Sequence, residues 1–199
     1  MICIVDYGAG NLRSVQKAVE HNGAESIVSS HAADIEKADK VIFPGVGAFG
    51  KAVEAIDHLK LRAPIIHAIK AQKPFLGICL GLQLLFEKSE ENPDAVGLGV
   101  FEGKVKRFPG TLKVPHLGWN VLIEKETSPL WNGIPDKSYF YFAHSFFIQP
   151  KDESCVIGES DYGFTFPVAV QKGHLFGLQF HPEKSQKWGL LILKNFIEL

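Results

Sequence analysis

One stretch constrains this chain more than any other: Lys73-Pro74-Phe75-Leu76-Gly77-Ile78-Cys79-Leu80-Gly81-Leu82-Gln83-Leu84-Leu85-Phe86. The apolar run after Pro74 ends in Gly77-Ile78-Cys79-Leu80-Gly81, and Leu82, Leu85 and Phe86 then recur at helical spacing. That pattern predicts strand, tight turn and helix, with Cys79 on the turn. Glycines two before and two after Cys79 let strand and helix pack closely around a sharp bend, as in the G-x-S-x-G nucleophile elbow with cysteine for serine. A helix starting directly after Cys79 puts unpaired N–H groups and a partial positive charge beside the sulfur, which favours thiolate over thiol. From the pentapeptide alone a second reading stays open, since a free cysteine is most often a small buried apolar residue.

An elbow needs a sheet around it. Ile2 to Asp6 reads as a strand buried on both faces, because its apolar residues run on without alternation. Asp6-Tyr7-Gly8-Ala9-Gly10-Asn11 is a turn, followed by a helix on Leu12, Val15, Ala18 and Val19, with Asn11 as its N-cap and Gly23 as its stop. The third glycine of a dinucleotide fingerprint is replaced by Arg13, which sets that reading aside. Ala24 to Ser29 gives a second strand, Ala32 to Ala38 a short helix, and Lys40 to Phe43 a third strand. Ala48 to Gln72 is helical, with Pro64 marking a break, and the alternation of strands and helices to residue 88 predicts a doubly wound parallel sheet.

The loop between, Pro44-Gly45-Val46-Gly47-Ala48-Phe49-Gly50-Lys51, invites two readings. Gly45 to Lys51 fits the first seven positions of the phosphate-binding pattern G-x-x-x-x-G-K-[ST], but Ala52 stands where the magnesium-holding hydroxyl belongs. The other reading is a glycine loop whose backbone N–H groups face a substrate oxygen as an oxyanion hole. After Glu91-Asn92-Pro93 the chain turns β-rich, with strands at Gly99 to Phe108, Gly118 to Glu124, Ser138 to Ile148, Ser154 to Glu159, Pro167 to Gln171 and Leu175 to Phe180. A last helix over Lys187 to Phe196 presents Leu190, Leu191, Leu193, Lys194 and Ile197. No linker separates the halves. The fold class expected is α/β, one domain over residues 1–199, with a central, mostly parallel mixed sheet flanked by helices.

Composition narrows the function. The 199 residues carry a net charge of −1, and the only tight cationic cluster is Lys104, Lys106 and Arg107, so no nucleic acid is expected as partner. The N-terminus lacks the pattern of a signal peptide and no apolar run approaches the ~18 residues of a membrane span, which points to a cytoplasmic protein without membrane contact. Cys3, Cys79 and Cys155 are an odd number without C-x-x-C spacing, arguing against disulfides and zinc. Cys3 and Cys155 read as inert core. No H-E-x-x-H pair occurs, and neither metal nor cofactor is expected.

A cysteine nucleophile needs a base and a group to orient it. The strand Leu175 to Phe180 runs into His181-Pro182-Glu183, where the residue before proline is held extended and Glu183 can point to the same side as His181. Local geometry thus lets Glu183 orient the imidazole. His144 and His116 are the other candidates, whereas His21, His31, His58, His67 and His174 lie on helices or loops without partners.

With Cys79, Gln83, His181 and Glu183 in this order, the chain resembles the class I glutamine amidotransferases. Asp6 to Leu12, Pro44 to Gly47, Pro115-His116-Leu117-Gly118-Trp119-Asn120 and Phe180 to Ser185 are similar to the glutaminase subunits of imidazole glycerol phosphate synthases, of histidine biosynthesis. The resemblance implies a Cys79–His181–Glu183 triad that hydrolyses L-glutamine. It implies an oxyanion hole from Val46, Gly47 and Leu80, and glutamine contacts from Gly45, Gly47, Gln83, Ser145 and Phe146, the last replacing a common tyrosine. It implies a heterodimer in which ammonia passes to a separate cyclase subunit, met around Asn11, Trp119, Tyr141 and Lys184. Two other readings keep the fold: a paralogue feeding a different synthase, such as one aminating a sugar, and a non-catalytic scaffold.

Overall fold

The computed structural model describes residues 1–199. The first half gives β1 (Ile2–Val5), α1 (Leu12–His21), β2 (Ser26–Ser29), α2 (Ala32–Lys37), β3 (Lys40–Gly45), α3 (Phe49–His58), α4 (Arg62–Lys70), β4 (Phe75–Cys79) and α5 (Leu80–Leu84). The second half gives β5 (Phe86–Ser89), β6 (Asn92–Val96), β7 (Phe101–Arg107), β8 (His116–Val121), β9 (Ile123–Glu124), β10 (Tyr139–His144) and β11 (Phe146–Pro150). It closes with β12 (Val156–Asp161), β13 (Thr165–Lys172), β14 (Leu175–Leu178) and α6 (Gln186–Ile197).

A central eight-stranded sheet has the order β2-β1-β3-β4-β14-β13-β12-β9. Its strands are parallel from β2 to β14 and antiparallel from there to β9. Side chains alternate between two cores: Cys3, Val5, Val41, Phe43 and Phe75 pack with α3 and α4, while Ile2, Ile4, Ile42, Leu76 and Ile78 pack with α1 and α6. Both faces are covered, which is why these strands read as unbroken apolar runs. Beside the main sheet lie a four-stranded sheet, β11-β7-β5-β6, and the two-stranded ribbon β10-β8. No helix is long and apolar enough to cross a membrane.

Several elements differ from expectation. The helix after Cys79 is a single short turn ending at Leu84, and the chain then runs into the β5–β6 hairpin, so the change to β structure comes before residue 88. Leu82, Leu84, Leu85 and Phe86 are all fully buried, and a segment buried all round leaves no polar face from which to tell helix from strand. The break between α3 and α4 falls at residues 59–61, with Pro64 inside the first turn of α4, where its missing N–H has no partner to lose. Ser138 to Ile148 is two strands, β10 and β11, which pass into different sheets at Ser145. The buried face of α6 is Gly189, Ile192, Leu193, Asn195 and Phe196, with Lys194 exposed. Cys155 is half-buried in a 3-10 turn, not in a strand core.

Candidate active site

The ends of β3, β4 and β14, three neighbours at the centre of the sheet, gather the chemistry. Cys79 closes β4 at φ +54° and ψ −107°, a conformation rarely taken by a residue with a side chain, and α5 starts at the next residue. Its flanking glycines allow a close approach. A Cβ on Gly81 would lie 1.7 Å from the Phe43 carbonyl oxygen, and one on Gly77 would lie 3.1 Å from the Gly81 backbone. The elbow is therefore wedged against β3, with Cys79 only 6% exposed.

β14 ends at Leu178, the chain bends at Gln179 and Phe180, and His181 itself is extended, at φ −100° and ψ 96°. His181 Nδ1–H donates to Glu183 Oε1 at 2.8 Å, and the two side chains are 2% and 0% exposed. The same oxygen accepts from Asn11 Nδ2, while His181 Nε2 and Glu183 Oε2 are buried without a partner. Burial works against the imidazolium, yet the nearby Cys79 charge and the hydrogen bond to Glu183 overcome it and raise the His181 pKa to about 10. Asn11 is thus not the side-chain cap expected of it; it sits at φ +75° and spends its amide on Glu183.

A cavity of about 240 Å³ opens beside the sulfur, lined by Val46, Gly47, Leu80, Gln83, Ser145 and Phe146 among others. Gly45 lies outside that lining, with its Cα packed under Tyr7, whose hydroxyl is where a Cβ would be. Gly47, at φ +114°, uses the freedom of glycine. The N–H groups of Val46 and Gly47 take no part in the backbone hydrogen-bond network. Phe146 contributes its carbonyl, which accepts from Gln83 Nε2 at 3.1 Å and from His144 Nδ1 at 2.8 Å, while its ring lies 6.0 Å from the Arg107 guanidinium carbon.

Glu91 is in the lining too, and its Oε2 accepts the Phe49 N–H at 2.7 Å where α3 begins. That contact overturns the phosphate-loop reading, because a carboxylate already occupies the helix start at which a phosphate would be held. Lys51 lies within α3 and is exposed.

His144 and His116 are not bases for Cys79. They are buried and bonded to each other, His116 Nδ1 to His144 Nε2 at 3.0 Å, and burial lowers their pKa values to about 3 for His144 and about 4 for His116. The five other histidines are exposed. Sequence reasoning overlooked Glu91 and Gln179. Gln179 is fully buried and its Nε2 donates to Cys79 Sγ at 3.7 Å; its place two residues before His181 was the available signal.

Three of the four surface residues singled out above form one cluster. Trp119 and Tyr141 meet edge to face at 6.0 Å, and Lys184 Nζ lies 5.8 Å from the Tyr141 ring centroid. Asn11, half-buried, adjoins through Glu183.

Comparison with known proteins places this geometry. The family described as "Glutamine amidotransferase class-I" matches residues 3–199. The "Imidazole glycerol phosphate synthase subunit HisH" of Bacillus cereus is 49% identical over 196 residues, covering 98% of this chain and 93% of that protein. The protein of the same name from Methanocaldococcus jannaschii is 48% identical over 199 residues and covers 100% of both. Among solved structures, that of PurLQS from Thermotoga maritima superposes with a TM-score of 0.80 at 22% identity, covering 99% of this chain and 97% of that one. A crystal structure of a glutamine amidotransferase gives 0.77 at 19%, covering 100% and 98%.

Proposed function

The chain belongs to the class I glutamine amidotransferases, and from that premise we propose that it is the glutaminase subunit of an imidazole glycerol phosphate synthase in histidine biosynthesis. It hydrolyses L-glutamine to glutamate and ammonia and works in a heterodimer with a cyclase subunit that uses the ammonia. The observation that carries this reading is a cysteine on a strained elbow, beside a buried His181–Glu183 pair and a cavity below the roughly 300–1,000 Å³ of drug-sized ligands, as suits one amino acid.

In this reading the Cys79 thiolate attacks the side-chain amide carbon of glutamine. The oxyanion is met by N–H groups of Leu80 and of Val46 or Gly47. His181, held protonated by its neighbours, gives its Nε2 proton to the departing nitrogen; the C–N bond breaks and ammonia leaves a thioester. Neutral His181 then takes a proton from water, whose oxygen attacks the thioester, and glutamate leaves as the thiolate re-forms. Glu183 holds the ring so that Nε2 faces the reaction. Gln83, Ser145 and the backbone at Gly47 and Phe146 hold the substrate, and Glu91, the one carboxylate in the cavity lining, suits its α-ammonium group.

The test is glutamate release from glutamine, by this chain alone and with a cyclase subunit and its acceptor. Weak activity alone and strong stimulation in the mixture are expected. Cys79→Ala should abolish glutamine-dependent synthesis in the complex and leave synthesis from added ammonium intact. Loss of both, or no stimulation of the wild type, would overturn the assignment.

A further inference from the structure

The triad leaves one contact of the sulfur unused. Gln179 Nε2 donates to Cys79 Sγ at 3.7 Å, from a side chain with no exposure. An amide has two faces, and turned over it would set an oxygen against a thiolate. Here the turn is fixed. Gln83 Nε2 donates to Gln179 Oε1 at 3.2 Å, and the same nitrogen donates to the Phe146 carbonyl, so Gln83 cannot reverse without losing both bonds. The Phe146 carbonyl is itself pinned, because His144 donates to it through Nδ1. Neutral His144 is then an acceptor at Nε2 for His116 Nδ1–H, and His116 Nε2 accepts from Asn120 Nδ2 at 3.2 Å. Each bond fixes the sense of the next.

The backbone delivers Gln179 as it delivers the base. A Cβ on Gly177 would meet Leu82 of α5 at 2.3 Å, so the end of β14 lies directly against the elbow. Gln179, one residue past that end, reaches the sulfur from there.

We propose that Gln179 is a positioning residue for the nucleophile: its amide N–H holds the Cys79 sulfur as a thiolate, and Gln83 with the Phe146 carbonyl keeps that amide from turning over. A thiolate with little access to water needs donors. His181 Nε2 has no partner here and surrenders its proton to the departing ammonia. Gln179 keeps its proton throughout, so the sulfur meets the same donor before the attack and again when the thiolate re-forms. This rests on Cys79 being the nucleophile.

The experiment uses the complex with the cyclase subunit and follows alkylation of Cys79 by iodoacetamide against pH, mapped by mass to the Cys79 peptide. Gln179→Met keeps the volume and removes the donor. It should raise the alkylation midpoint by about one pH unit and lower kcat for glutamine about tenfold, with KM within about twofold and ammonium-driven synthesis unchanged. Gln179→Glu keeps the shape, sets a carboxylate against the sulfur and should raise the midpoint further; it decides alone if the methionine variant does not fold. An unmoved midpoint in a folded variant overturns the proposal, because a merely structural role would change stability and not the thiol titration. Failure of the nucleophile assignment reads differently, since glutamine would then not protect wild-type Cys79 from alkylation.

Discussion

Glu183 Oε1 receives both His181 Nδ1–H and Asn11 Nδ2–H, while Oε2 receives nothing. Glutamine at this position keeps the accepting oxygen and places its NH2 where no bond is lost, so Glu183→Gln removes charge and little else. It should lower glutamine turnover about 10²-fold, less than loss of Cys79, with folding retained. The turn at Cys79 and the contact of Glu183 with His181 were legible because glycine spacing and an X-Pro bond act locally. Gln179 and Glu91 were not, because what they touch comes from strands and loops distant in sequence.

The nucleophile elbow works as an element because α5 lies against β3 with no side chain between them. Gly81→Ala would drive a methyl group into the Phe43 backbone, which belongs to the central sheet and cannot step aside, so α5 must lift and carry Cys79 with it. The expected cost is about 1–3 kcal/mol of stability, read as a lowered urea midpoint, with glutamine turnover falling further than partner binding. A variant with wild-type turnover would show that the elbow tolerates the shift. The same packing explains which elements could be read in advance. β1, β3 and β4 are covered on both faces and announce themselves as apolar runs, and α1 has one buried stripe, Val15, Ala18 and Val19, closed by Gly23 at φ +78°. The short strands after Phe86 are divided among three sheets, and what separates β10 from β11 is which distant strand each pairs with. No local pattern carries that information.

At the scale of the whole molecule, the β8–β10 ribbon joins the cavity to the surface. Its register pairs Leu117 with Ala143, Trp119 with Tyr141 and Val121 with Tyr139, and alternation sends these to one face while His116, Phe142 and His144 go inward. Leu117 and Ala143 line the cavity, and Trp119 and Tyr139 continue the stripe outward at 47% and 58% exposure. An apolar stripe that starts at the site of ammonia release and ends bare on the surface has the form of a surface awaiting cover. A cyclase docked there would keep ammonia out of water with its lone pair unprotonated, and Trp119, a large aromatic against Tyr141, would be its anchor. Trp119→Ala should therefore weaken cyclase binding by about 2 kcal/mol, roughly thirtyfold in Kd. Glutaminase stimulation should be lost at low cyclase concentration and regained at saturation, as read from a titration of glutamate release. An unchanged midpoint in that titration would mean that the cyclase covers another face and that ammonia leaves the cavity by another way.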